Sequence, residues 1–132
     1  MTFGDQMKVL HTAAWECDES AIRRLVSEGF SIDEQDDRRY SPLMYAAEAG
    51  HAGAVRLLLE LGADPDVHSD YDTHSTPLSL AAWRGHFPVV KLLISHGARP
   101  DIHAGPWQAR AECYARSAGH HHISEFLEYQ CK

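Results

Sequence analysis

Ten histidines are the first feature of this sequence that suggests chemistry, because imidazole is a common metal ligand. Three of them follow one another as His120, His121 and His122. A zinc site needs ligands that converge from defined spacings, and the sequence contains no paired cysteine and histidine framework. Consecutive residues of a helix also point in three different directions. The sequence therefore predicts no metal site and no cofactor.

The cysteines suggest a second chemistry, in which a histidine base activates a thiol nucleophile. Cys17 or Cys113 could be combined with His11, but no local motif arranges these residues. Adjacent carboxylates such as Asp36 and Asp37 fall on an expected exposed turn, without the apolar pocket that raises a carboxyl pKa for acid catalysis. We therefore predict that the protein is not an enzyme and that its thiols are buried or incidental.

Composition narrows the class of partner. The chain has 132 residues, which fits one domain, and 12 Lys and Arg against 19 Asp and Glu give a net charge of −7. This charge repels nucleic acid phosphates and anionic lipid, and it favours a partner with a basic surface. Three cysteines without a close pair, no leader sequence and no long apolar run predict a soluble cytoplasmic protein.

An internal repeat organises the sequence. The segment YSPLMYAAEAGHAGAV at residues 40–55 is followed by STPLSLAAWRGHFPVV at residues 75–90. The copies share an alanine pair and a later glycine, each at intervals of 33 and 35 residues: Ala13, Ala46 and Ala81, and Gly29, Gly62 and Gly97. A weaker fourth copy contains Gly119 and His120. A period of this length is typical of stacked repeat proteins.

Each copy predicts two antiparallel helices. Thr76 before Pro77 suits a helix start, because the hydroxyl can cap the helix and proline lacks an N–H group that would be left unpaired. Gly85 suits the end of this first helix. The residues from Val89 to Ile94 then give the second helix a wide apolar face. Polar segments rich in Asp, Gly and Pro separate the copies and predict protruding turns.

These motifs resemble the ankyrin repeat family, whose pattern G-x-TPLHLAA-x-x-GH-x-x-VV-x-LL-x-x-GAD is matched nearly letter for letter by residues 74–98. Residues 39–64 match almost as well, and the resemblance extends over roughly residues 5–130. The first copy has Cys17-Asp18 in place of the Gly-His turn. Glu112 stands at a leucine position of the last copy; an exposed end of the stack would accommodate it, and so would a one-residue shift of the alignment.

The resemblance implies an all-α, L-shaped, right-handed solenoid of about four helix-turn-helix repeats with hairpin-like turns. Within a single domain of residues 1–132, the repeats would span approximately 5–37, 38–70, 71–104 and 105–130, with the first and last acting as caps. It also implies that partner proteins bind to the turn tips and to the concave face of the first helices.

Residues that differ between copies at these places are the candidate partner-binding residues. Trp15, Glu48 and Trp83 share the position after the alanine pair, and exposed tryptophans often dominate interface energies. The alternatives are that Trp15 and Trp83 belong to the core and that Trp107 covers the end of the stack. The full set of candidates is Trp15, Glu16, Tyr40, Glu48, Trp83, Arg84, Asp36, Asp37, Arg38, Tyr71, Asp72, His74 and Trp107.

Acidic residues are concentrated in the turns, where they predict a negative ridge that attracts a basic partner. Turn formation and solubility are the alternative explanation, because Asp favours turns on its own account. The residues concerned are Asp33, Glu34, Asp36 and Asp37 in one turn and Asp64, Asp66, Asp70 and Asp72 in the next.

Together these features predict a monomeric protein that binds another protein and acts as a small inhibitor or adaptor. Two alternatives remain open: an acidic immunity-type protein that masks a basic toxin or nuclease, and a subunit of a larger assembly.

Overall fold

The computed structural model describes residues 9–37, 39–68, 75–104 and 106–131. These residues form four pairs of helices, each joined by a short turn. Their bounds are α1 Val9–Trp15 and α2 Glu19–Ser27, α3 Pro42–Ala49 and α4 Ala52–Glu60, α5 Pro77–Arg84 and α6 Phe87–Ser95, and α7 Ala111–Ser117 and α8 His121–Gln130. The described residues form no strand beyond an isolated antiparallel bridge between Ala104 and Ala109. The predicted all-α repeat fold is confirmed.

The helices begin at the caps that the sequence predicted. The Ser41 hydroxyl accepts a hydrogen bond from the Met44 N–H at 3.3 Å, and proline follows it at the first helical position. Thr76 forms a reciprocal capping box with Ser79, in which each side chain accepts from the backbone N–H of the other. Such caps pair N–H groups that a helix start would otherwise leave unpaired.

The first helices of two repeats end at glycines for two separate reasons. Gly50 and Gly85 both adopt left-handed backbone conformations, with φ of 81° and 82°. In addition, a Cβ atom on Gly50 would overlap the ring of His86, and one on Gly85 would overlap the ring of His120. The His86 Nε2 atom lies 2.9 Å from the Glu48 carbonyl oxygen, so this histidine links one helix-ending turn to the turn before it.

Cys17 occupies the corresponding position of the first repeat without being a glycine. Its φ of 58° is left-handed, and Asp18 then caps α2 by accepting from the Ala21 N–H at 3.1 Å. The same backbone turn is thus made with a residue that favours it less.

The helix pairs stack in two layers. The first helices α1, α3, α5 and α7 contact one another in chain order. The second helices pack beside them, and Phe87 of α6 meets Phe126 of α8 with ring centroids 5.4 Å apart. The alanine pairs are buried between adjacent first helices, where small side chains allow close approach. This packing leaves one side of the first helices free to carry exposed residues.

Glu112 contradicts the expectation of an exposed end. Glu112 occupies the repeat position that is Leu10, Leu43 and Leu78 in the first three repeats, and all three leucines are buried. The Glu112 side chain is also buried, with only 3% of its surface exposed. The Glu112 carboxylate pairs with Arg110, and its Oε2 atom lies 3.6 Å from Arg116 Nη2. The helix bounds place Glu112 second in α7, as Leu78 is second in α5, so no alignment shift is involved. A buried carboxylate, paired with partly exposed arginines, takes the place of a leucine in the last repeat.

Candidate functional site

The side of the first helices that faces solvent carries Trp15, Glu48, Trp83 and Arg84, and we call it the first-helix face. Trp15 is 49% exposed and Trp83 is 39% exposed, so neither ring is part of the core. Trp15 lies edge-on to Tyr45 of the next repeat, with ring centroids 6.2 Å apart. Glu16, at the next position after Trp15, is also exposed. The sequence therefore located the two tryptophans correctly on a solvent-facing surface.

An ion pair joins two repeats at the middle of this face. Arg84 Nη2 lies 2.9 Å from Glu48 Oε1, and the side chains are 55% and 14% exposed, respectively. Glu48 is thus largely covered, and the guanidinium of Arg84 is the charged group that reaches solvent. An exposed pair of this kind contributes little to stability, about 0–1 kcal/mol, but it restricts the orientation of the arginine.

Three aromatic rings form a cluster at the fourth repeat. Trp107 stacks on Tyr114 with centroids 5.2 Å apart and planes 8° apart, and Trp83 packs edge-on against both. A cavity of about 330 Å³ opens beside them, and we call it the aromatic pocket. Its lining residues are Glu48, Ser75, Ser79, Leu80, Trp83, Arg84, Pro106, Trp107 and Tyr114.

The turn that carries Trp107 is fastened to α7. The Tyr114 hydroxyl donates to the Ala104 carbonyl at 2.6 Å and accepts from the Trp107 N–H at 3.1 Å. The backbone of Ala104 and Ala109 also exchanges two hydrogen bonds, at 2.9 and 3.1 Å. Trp107 is 56% exposed, so it stands over the pocket and does not cover the end of the stack as a buried residue. The sequence did not indicate the role of Tyr114, because this role depends on its contacts with Ala104 and Trp107.

A second cavity lies on the other side of the ion pair. It has a volume of about 450 Å³ and is lined by Trp15, Glu48, Ala49, His51, Arg84 and His86. The two cavities share Glu48 and Arg84, so they adjoin each other at the ion pair on the first-helix face.

Two predicted contact residues are buried, and their expected exposure was wrong. Tyr40 packs against the Tyr45 ring at 5.3 Å and has little contact with solvent. The Asp36 carboxylate accepts hydrogen bonds from the Tyr40 N–H at 3.0 Å and from the Tyr45 hydroxyl. Both residues therefore shape the turn before α3 and expose little surface to solvent. The sequence showed an acidic turn but not the tyrosine that folds back onto it.

The remaining turn candidates divide into two groups. Asp37 is exposed. Arg38, Tyr71, Asp72 and His74 lie outside the described residues, so their predicted exposure stays a prediction.

Several acidic turn residues hold neighbouring turns together. Asp33 accepts a hydrogen bond from the Asp64 N–H at 3.1 Å, and Asp66 accepts from the Arg99 N–H at 2.9 Å. Partial burial raises the pKa of Asp33, and the Asp64 carboxylate adds to this effect, while the hydrogen bond from Asp64 opposes it. For these residues the structural explanation of the acidic turns has direct support.

The histidines that suggested chemistry can be compared with their surroundings in the structure. Within the described ranges, no group of three or more His, Cys, Asp and Glu residues is arranged to hold a metal ion. His11 is buried, and its Nε2 atom contacts the carbonyl oxygens of Glu34 and Tyr40 at 2.7 and 3.0 Å. These contacts anchor the turn after α2. In the same ranges, every helix is too short or too polar to cross a bilayer.

Comparison with known proteins supports the interpretation of the sequence as a series of repeats. A family model described as ankyrin repeats, in three copies, matches residues 10–104. An ankyrin repeat-containing protein of Treponema pallidum is 43% identical over 60 residues, which are 45% of this chain and 20% of that protein. The human ankyrin repeat, SAM and basic leucine zipper domain-containing protein 1 is 38% identical over 53 residues, or 40% of this chain and 11% of that protein. The chain thus spans a fifth or less of these relatives, and by the family match it belongs to the ankyrin repeat family.

Proposed function

We propose that this chain is a small inhibitor or adaptor that binds a partner protein through the first-helix face and the adjacent turns. Ankyrin repeats are generally protein-protein interaction modules and are typically not enzymes. The observation that carries the proposal is the pair of solvent-facing tryptophans, Trp83 and Trp107, beside a groove. Exposed aromatic rings at a concave surface are typical of residues that dominate binding energy.

The rigidity of this face supports binding as its role. The Trp83 ring packs against two neighbouring rings, the Trp107 ring stacks on Tyr114, and Arg84 pairs with Glu48. Side chains that are already fixed lose less conformational entropy when a partner binds. The face would therefore meet a partner with little rearrangement.

Charge favours a partner with a basic surface, because the chain carries a net charge of −7. We propose that the exposed acidic turn residue Asp37, together with Asp64, faces this basic surface. The same charge disfavours nucleic acid and anionic membranes as partners. We further propose that the protein acts as a monomer in the cytoplasm.

Two alternatives predict different partners. An acidic immunity-type protein would bind one basic toxin or nuclease tightly, whereas a subunit of a larger assembly would copurify with several chains. Identification of the bound proteins distinguishes these cases from a general adaptor.

Affinity capture from the native cell tests the proposal. The wild-type chain, Trp83→Ala and Tyr129→Ala serve as baits; Tyr129 is a matched control because its ring is 72% exposed but lies on α8, outside the first-helix face. We expect the same partner with wild type and Tyr129→Ala, and at least about tenfold less with Trp83→Ala. Equal recovery with all three folded baits would refute the proposed face.

A further inference from the structure

We propose that the aromatic pocket binds a large apolar side chain of the partner and that Arg84 binds a carboxylate on the adjacent residue of the same segment. The inference rests on the proposed function and specifies the partner segment at the first-helix face. The proposed segment of the partner lies at the first-helix face, whereas the basic surface of the partner faces the turns.

An apolar occupant follows from the walls of the pocket. Trp83, Trp107, Leu80 and Pro106 present rings and aliphatic carbon to the cavity. The Tyr114 hydroxyl is already engaged with both Ala104 and Trp107, so it contributes its ring to the pocket. A volume of about 330 Å³ accommodates a phenylalanine or leucine side chain. Water in such a site gains few hydrogen bonds, so its displacement by an apolar group is favourable.

A carboxylate partner for Arg84 follows from the asymmetry of the ion pair. A guanidinium has five N–H donors, and among the described residues Arg84 makes one ion pair, with Glu48. Glu48 is the covered member and Arg84 the exposed one, so the charge offered to a ligand at the pocket edge is positive. Glu48 holds the guanidinium in place, which prepares it for a second, planar contact with a carboxylate.

The second cavity, which adjoins the aromatic pocket at Arg84, favours an internal segment of the partner chain as the ligand. Arg84 also lines the second cavity, which is bounded by Trp15 and His86. A segment that crosses Arg84 can continue into this space, whereas a chain terminus would leave it unfilled. First helices packed at interaxial distances of about 8–10 Å place Trp15 and Trp83 roughly 20 Å apart. An extended segment of about six residues would span that distance.

A titration with short peptides tests the inference without the natural partner. The probe is N-acetyl-Phe-Glu-amide, followed through the indole N–H signals of the three tryptophans by NMR. We expect the Trp83 and Trp107 signals to shift with a dissociation constant in the millimolar range, typical of a fragment with one apolar anchor. The Trp15 signal, in the other cavity, is the internal control and is expected to stay in place.

Two comparisons separate the apolar and the charged contacts. N-acetyl-Phe-Gln-amide is expected to bind about 5-fold more weakly, which is the upper end for a partly exposed ion pair. This difference should disappear in Arg84→Gln, whose position on the surface leaves the core intact. Tyr114→Phe keeps the ring but removes the hydrogen bonds to Ala104 and Trp107, and it should weaken the binding of both peptides equally.

The inference is overturned if Trp83 and Trp107 do not shift at peptide concentrations up to about 20 mM, or if all three indole signals shift alike. Equal affinity of the Glu and Gln peptides for the wild-type protein would overturn the role of Arg84. If these results occur while capture still depends on Trp83, the proposed function stands and only this occupant is wrong.

Discussion

Replacement of Glu112 by leucine should stabilise the protein, although it removes an ion pair. The carboxylate is buried at a position that is leucine in the first three repeats. Its partners Arg110 and Arg116 have side chains that are 39% and 54% exposed, so both can return to water when the carboxylate is removed. Replacement of a buried ion pair by a fitting apolar side chain is often neutral or stabilising by about 1–4 kcal/mol.

The expected magnitude combines two effects of opposite sign. Burial of a leucine side chain contributes about 1.5–3 kcal/mol relative to exposure, and the desolvation of a carboxylate is no longer required. Loss of the attraction to two partly exposed arginines opposes this gain by about 1–2 kcal/mol. We therefore expect Glu112→Leu to raise the free energy of unfolding by about 1–3 kcal/mol. Glu112→Gln, which keeps the shape and removes the charge, should lower it by about 1–3 kcal/mol.

Urea denaturation followed by circular dichroism provides the measurement, with the fluorescence of the three tryptophans as a second probe. Coincidence of the two transitions shows whether the stack unfolds as a unit. If Glu112→Leu is less stable than both wild type and Glu112→Gln, the carboxylate is required by the last repeat and the reasoning from register is refuted.

Two further substitutions test local parts of the structure. Because burial raises the pKa of Asp33, its protonation favours the folded state, and this contribution to stability increases as the pH falls through the raised pKa. Asp33→Asn keeps an acceptor for the Asp64 N–H, so the variant should be at least as stable as wild type near pH 7. Between pH 7 and about pH 4 its free energy of unfolding, measured by urea denaturation, should increase less than that of wild type. A clear loss of stability at neutral pH would contradict this. Gly85→Ala should destabilise by about 1–3 kcal/mol more than Gly62→Ala in thermal denaturation. Both glycines have positive φ, but only at Gly85 would a Cβ meet a histidine ring, so equal losses would argue against the His120 contact.

The fold was predictable because short sequence features within each repeat determine where its helices begin, end and pack. Thr76 and Pro77 start a helix, Gly85 ends it, and the alanine pair marks the side that packs on the next repeat. These features act within a few residues of each other, and their recurrence specifies a stack without knowledge of any long-range contact. The exposure of Trp15 and Trp83 followed from the same register.

The parts that were not predictable depend on contacts between segments. Asp36 is buried because the Tyr45 hydroxyl, one helical turn into α3, reaches back to it. Glu112 is accommodated in the core because arginines happen to flank it on both sides. The aromatic pocket exists because Tyr114 fastens the turn that carries Trp107. Each case involves a polar group whose partner cannot be assigned from spacing alone.

Hydroxyl-radical footprinting of the protein with and without its captured partner tests the central claim most directly, because it measures the solvent access of individual side chains. Trp83 and Trp107 lie on the proposed binding face, whereas Tyr129 is exposed on α8, away from it. The account predicts that the partner protects Trp83 and Trp107 from modification and leaves Tyr129 unchanged. Protection of Tyr129 with unchanged modification of both tryptophans would contradict it.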